Sequence, residues 1–112
     1  MNVYVRTAAR EDILKQYFYY LIEKDAARAG ERFLEAVQSA IEMLCQMPGM
    51  GAPKLLKNPR LEGLRSWPVR GFPAMRIYYL HVRDELRIVR VLHGKRDINP
   101  LLEEEAASDE SC

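Results

Sequence analysis

The sequence predicts an α+β domain: a small, antiparallel-dominated sheet with an N-terminal strand, a helical hairpin packed on one face and a short C-terminal helix. Two β-favouring runs, Arg76 to Val82 and Leu86 to Leu92, flank the polar turn Arg83-Asp84-Glu85, which is hairpin composition. Apolar residues at three-and-four spacing fill two stretches on either side of Lys24-Asp25, which is the signature of paired helices. A chain of 112 residues has room for one core and not for two. Residues 1–112 therefore read as a single domain, with a folded core over about residues 1–102 and an acidic tail over 103–112.

Taken in order, Asn2 to Arg6 alternate with Val3 and Val5 on one side and read as a short strand at the edge of the later sheet. Thr7 is placed to cap a helix starting near Ala8, with Glu11 and Asp12 where the helix dipole favours negative charge. Ile13, Leu14, Tyr17, Phe18, Leu21 and Ile22 form its apolar stripe. The second helix carries Ala26, Ala29, Phe33, Val37, Ala40, Ile41 and Leu44. Gly30 costs it about 1 kcal/mol against alanine, a cost that close approach of the first helix would explain. Met47 to Pro53, rich in proline and glycine, ends that helix and opens a loop reaching to about Glu62.

The sheet begins at Leu64, and Pro68, which has no amide proton, predicts a bulge or turn at the end of its first strand. The next two strands are apolar at both parities, as expected for strands buried on two faces. Ile98 to Ala107 predicts a short helix. Trp67 is expected to fill the core under the loop.

Composition narrows the function classes. Apolar and charged shares of 48% and 29% are those of a folded domain. No apolar run approaches the roughly 20 residues of a membrane span, and nothing resembles a signal peptide, so a cytoplasmic protein without membrane contact is expected. Cys45 and Cys112 make neither a disulfide framework nor a metal cluster, and free thiols are expected. Phosphate-loop, metal-site and nucleophile-elbow patterns are absent, so no metal or cofactor is expected. Charge is more informative. Residues 54–96 hold eleven Lys/Arg against three Asp/Glu, while residues 97–112 hold six acids and no Lys/Arg. A basic sheet of this kind suits an anionic partner.

The Pro48 to Gly51 loop, Leu64-Arg65-x-Trp67-Pro68-Val69-x-Gly71-Phe72, and Arg90-Val91-Leu92-His93-Gly94-x-Arg96-Asp97-Ile98 together carry a pattern. Over about residues 2–100 it resembles the ParE branch of the RelE/ParE toxin superfamily. That resemblance implies a toxin of a bacterial toxin–antitoxin module, held inactive in a heteromeric complex by a ParD-type antitoxin. ParE-like toxins poison DNA gyrase and block replication, whereas RelE-like relatives cut messenger RNA on the ribosome.

The two branches make different demands. Attack by a 2′-hydroxyl needs a proton acceptor, cations for the phosphorane charge and an acid for the leaving oxygen. Arg76 and Arg96 match basic positions of the RelE-like enzymes, and His93 is of the residue type that can act as acid or base near neutral pH. Their catalytic aromatic would fall near Leu101 and Leu102, and no tyrosine follows Tyr79. The reading is therefore a gyrase inhibitor acting by binding. Its alternatives are a ribosome-dependent mRNA endoribonuclease using Arg76, His93 and Arg96, and a non-toxic antitoxin-binding relative.

Tyr17, Phe18, Tyr19 and Tyr20 are too many aromatics for one helix face, so two of the four are expected to point outward. Antitoxin contact is expected at Tyr17, Tyr19, Tyr20, Arg76 and Arg90, and target contact at Lys54, Lys57, Arg60, Arg65 and Arg70. Each has a structural reading beside it. His93 can be a strand-end residue bonded to backbone, Arg76 and Arg90 can pair internally with Glu62 or Asp97, and Asp97 can cap the last helix or bridge to Arg96. The lysines and arginines of the strip can be a solvated face.

Overall fold

The computed structural model describes residues 1–94 and 99–103. Strand β1 (Asn2–Val5) leads into helix α1 (Thr7–Phe18), a π-helical turn (Tyr19–Glu23) and helix α2 (Ala27–Gln46). After a 3-10 turn at Pro48–Met50 come β2 (Ala52–Pro53), a second 3-10 turn (Pro59–Leu61), β3 (Arg65–Val69), β4 (Phe72–Val82) and β5 (Glu85–His93). Residues 99–103 form a helical turn. The strands make one sheet in the order β1-β5-β4-β3-β2. Only β1 is parallel to its neighbour, β5; the other pairs are antiparallel. The α+β arrangement, with both helices on one face, is as expected.

Two layers cover the sheet unequally. On the helix side, Ala9, Phe33, Val37, Ala40 and Leu44 pack against Val69, Met75, Ile77, Tyr79, Leu86, Ile88 and Val91. On the other side, Tyr78, Leu80, Val89 and Leu92 are covered by Leu61 and Leu64 and by Leu102 of the helical turn. Each such aliphatic or aromatic side chain removed from water contributes about 2 kcal/mol. This explains the apolar residues at both parities. A bulge refines it: Tyr78 pairs with Arg90 and Tyr79 with Ile88, leaving Val89 as an extra residue. The slip lets Ile88 and Val91 both face the helices while Val89 and Leu92 face the other layer.

Several local expectations are corrected. Thr7 is the first helical residue, Arg6 is the N-cap, and no side chain caps the helix. Among the α1 residues only Ala9 is buried, and Leu14, Phe18 and Ile22 of the expected stripe are exposed, Ile22 by 69%. The long loop contributes a fifth strand, since β2 pairs with β3. Strand β4 starts at Phe72, four residues before the expected Arg76. Trp67 packs on the α2 side of the sheet, beside Arg32, Glu35 and Met43, and not beneath the loop.

Other expectations hold. The register of β3 slips between Pro68 and Val69. Gly30 lies under the first helix: a Cβ there would sit 3.0 Å from Cδ1 of Tyr17. The loop at Pro48 to Gly51 is clamped by Tyr79, whose hydroxyl donates to the Pro48 carbonyl at 2.7 Å and accepts from the Gly51 amide at 2.9 Å. A Cβ at Gly51 would lie 2.4 Å from that hydroxyl oxygen, so only glycine fits. Cys45 is a half-buried free thiol on α2; Cys112 lies outside the described residues.

Candidate binding groove

The groove is created where β1 stops. Strand β1 pairs with β5 only as far as Val5 with Ile88, and Arg6 N donates to the Ile88 carbonyl at 3.1 Å. Beyond that point, among the described residues, no strand flanks the outer edge of β5, and α1 runs alongside it instead. Asp12, one and a half turns into α1, fills the first position. Its Oδ2 accepts from Val91 N at 3.0 Å and from Arg90 Nε at 2.7 Å, while Oδ1 accepts from Arg90 Nη2 at 2.8 Å. One carboxylate thus satisfies a ladder amide and holds a guanidinium bidentately, which is the strong, planar form of this pair.

Past this clamp the edge is open. Gly94 N bonds inward to the Ala74 carbonyl at 2.7 Å and Val91 N points outward, so strand alternation turns the backbone of His93 outward too. Between this edge and the end of the first helix lies a groove of about 910 Å³, whose walls include Lys15, Tyr19, Tyr20, Lys24, Arg90 and His93. It combines unpaired strand edge, aromatic surface and positive charge.

The π-helical turn shapes the aromatic wall. Lys24 N bonds back five residues to the Tyr19 carbonyl, widening the helix by one residue, and Asp25 then takes a left-handed conformation with φ 46°. The turn rotates Tyr20 inward, with ring centroids 5.5 Å from Phe72 and 6.0 Å from Phe33. Tyr19 stays outside, with Lys24 Nζ 5.7 Å from its ring centroid, a cation–π contact. Two of the four aromatics, Phe18 and Tyr19, are exposed, as the sequence leads one to expect. Tyr20 is not one of them, and Tyr17 is half-buried against Gly30.

The remaining singled-out residues are dispersed. Arg76 lies on the sheet face away from the helices, where its Nε donates to Ser66 Oγ at 3.1 Å. Its charge partly offsets the effect of burial, which raises the pKa of Tyr78 above the usual phenol value. His93 pairs with Met75 of the helix-side core and lines the groove on that side. Arg76 and His93 therefore leave the sheet from opposite faces. Arg96 and Asp97 lie outside the described residues. Arg76 donates to a serine, and Arg90 is held by Asp12, an acid not anticipated from the sequence; the expected pairing with Asp97 lies outside the described residues. His93 is the last residue of β5, at the strand end as expected, and is exposed on the groove wall.

The basic strip also divides. Arg65 is turned inward, its Nη1 donating to the Gly51 carbonyl at 2.7 Å. Arg70, at the β3–β4 turn, lines a cleft beside α2 with Trp67. It is separated from Lys54 by the length of β3, about 16 Å at the usual rise per residue. Lys54, Lys57 and Arg60 remain together on the loop before β3.

Fold and groove define a small α+β protein in which, among the described residues, the end of β5 has no strand on its outer side and runs beside a wall of aromatic and basic side chains. Against known families, residues 3–98 match the profile described as "ParE toxin of type II toxin-antitoxin system, parDE". The chain belongs to this ParE toxin family. Among solved structures it is similar to "Chromosomal ParDE TA system from P. aeruginosa", at 16% identity and a TM-score of 0.64, over 83% of this chain and 95% of that one. At this identity the likeness concerns the fold. A comparison with curated proteins gives no match. Among the described residues no helix is long and apolar enough to cross a membrane.

Proposed function

We propose that this chain is the toxin of a type II module, that it poisons DNA gyrase by binding, and that a ParD-type antitoxin silences it through the β5 groove. The observation that carries the binding mode is the divergence of Arg76 and His93 onto opposite faces of the sheet. Transfer of a proton and stabilisation of a phosphorane need their groups around one reacting atom. Two side chains separated by the sheet do not supply that, so the reading assigns no chemistry to this chain.

Support for the antitoxin site is the open edge itself. An extended segment can add to an unpaired strand by main-chain hydrogen bonds, with side-chain pockets giving selectivity. Here Lys15 and Lys24 favour an acidic segment, and Tyr19 supplies exposed aromatic area. Tyr20 enters this account as a support under the wall.

The test is purified protein incubated with gyrase, ATP and supercoiled plasmid, scoring linear DNA after the proteins are denatured. Linear DNA that disappears on adding the antitoxin is expected. Intact plasmid beside an active gyrase control would refute the gyrase target. Cleavage of ribosome-bound message that is lost in Arg76→Ala would put the ribonuclease in its place.

A further inference from the structure

The loop before β3 presents an anchor that the antitoxin groove does not use. Leu55 is 91% exposed, more than any other large apolar side chain in the described residues. Its neighbour Leu56 turns the other way and packs with Leu61 and Leu64 against the sheet. Adjacent leucines therefore have opposite fates, and the loop is firmly built around the difference. Lys54 N donates to the Leu64 carbonyl at 2.8 Å, Asn58 Oδ1 accepts from Arg60 N at 2.9 Å, and Leu61 N donates to the Asn58 carbonyl at 3.0 Å. Lys54 and Lys57 flank Leu55, and the cleft of about 890 Å³ beside it is lined by Leu56, Pro59, Asn99 and Glu103. A loop tied at Lys54, Asn58 and Leu61 thus holds one leucine in water between two ammonium groups, an apolar anchor with a basic rim.

We infer that the 54–60 loop is the surface that engages the toxin's target, with Leu55 entering an apolar hollow on a protein and Lys54 and Lys57 meeting carboxylates at its rim. This rests on the reading of the chain as a toxin that acts by binding. Charge complementarity selects an acidic partner. The exposed leucine selects a protein over a nucleic-acid backbone, since phosphate contact uses the lysines and leaves the leucine in water. The loop lies on the sheet face away from the helices, so target and antitoxin contact different surfaces.

Two variants test it in the full chain: Leu55→Asp, and Lys54→Glu with Lys57→Glu. All three positions are outside the two core layers, so unfolding midpoints should match wild type. Growth arrest on expression and binding of fluorescently labelled toxin to gyrase are read in parallel. The expected result is that Leu55→Asp weakens target binding at least about tenfold, the scale for loss of a central anchor, and relieves growth arrest. Leu55→Met should retain both, and antitoxin binding should be unchanged. If Leu55→Asp and the double lysine variant both remain fully toxic, the loop assignment is overturned. If Leu55→Asp is toxic while the double lysine variant is not, the occupant is a nucleic acid. If wild type arrests growth without binding gyrase but Leu55→Asp does not arrest, the gyrase target fails and the docking loop stands. A wild-type chain that arrests nothing overturns both.

Discussion

Replacing Asp12 by alanine removes three hydrogen bonds at once, two from the Arg90 guanidinium and one from the Val91 amide. The side chains of Arg90 and Asp12 are only 16% and 12% exposed, so the pair lies between a solvated surface bridge, worth about 0–1 kcal/mol, and a buried one, whose breakage costs about 3–5 kcal/mol. A loss of about 3 kcal/mol is expected for Asp12→Ala, of which the Val91 amide accounts for about 1 kcal/mol. Asp12→Asn keeps an acceptor for Val91 and should cost about half as much. Urea unfolding followed by circular dichroism measures both, with an unchanged slope showing that the folded state is intact. For a domain of this size, 3 kcal/mol lowers Tm by about 10 °C. If Asp12→Ala unfolds within about 0.5 kcal/mol of wild type, the carboxylate does not hold α1 to β5. The account of the groove's closed end would then be wrong.

Three further perturbations separate support from contact. Tyr19→Ala should weaken antitoxin binding with little change in stability, whereas Tyr20→Ala should cost about 3 kcal/mol by emptying the space against Phe33 and Phe72; titration and unfolding on both variants would expose a reversal. Tyr79→Phe leaves the Gly51 amide without its acceptor and should cost about 2 kcal/mol, and Gly51→Ala should cost at least as much by forcing Tyr79 or the Ser66 carbonyl to move. Burial raises the pKa of Tyr78 and Tyr79 above the usual 10.0, so the unfolded phenols ionise first as pH rises. Their contribution is complete below the unfolded value and is lost as pH climbs through the folded ones, so stability should fall above about pH 10. Unfolding curves over that range should be flatter for Tyr79→Phe; an identical pH dependence would show that this phenol is not the source.

The parts of the fold that sequence makes legible are those with a strong period or a strong breaker. The β4–β5 hairpin, the α2 face and the slip at Pro68 all follow from residues whose backbone or packing options are few. Helix α1 is less legible because its apolar stripe is interrupted by the π-helical turn, which changes the period after Phe18 and sends Tyr20 inward. Nothing in Tyr-Tyr-Leu-Ile-Glu marks that turn. The groove could not be found by motif either, since Asp12 and Arg90 are 78 residues apart and meet only once β1 has ended. Leu55 had a weak signal, adjacent leucines between lysines in a segment too short to bury both. The strip of five cations was legible as composition but not as a surface, because Arg65 serves the Gly51 carbonyl and Arg70 lies at the far end of β3.

The bulge at Val89 bears on how this chain tolerates changes in length. Removing one residue from a regular strand turns every later side chain to the wrong face. In β5 the phase is already advanced by one, so deleting Val89 would leave Val91 and Leu92 facing the layers they face now. The damage would be confined to Arg90, drawn into the apolar place of Val89 and away from Asp12. A single-residue deletion at this site should act as one buried charge.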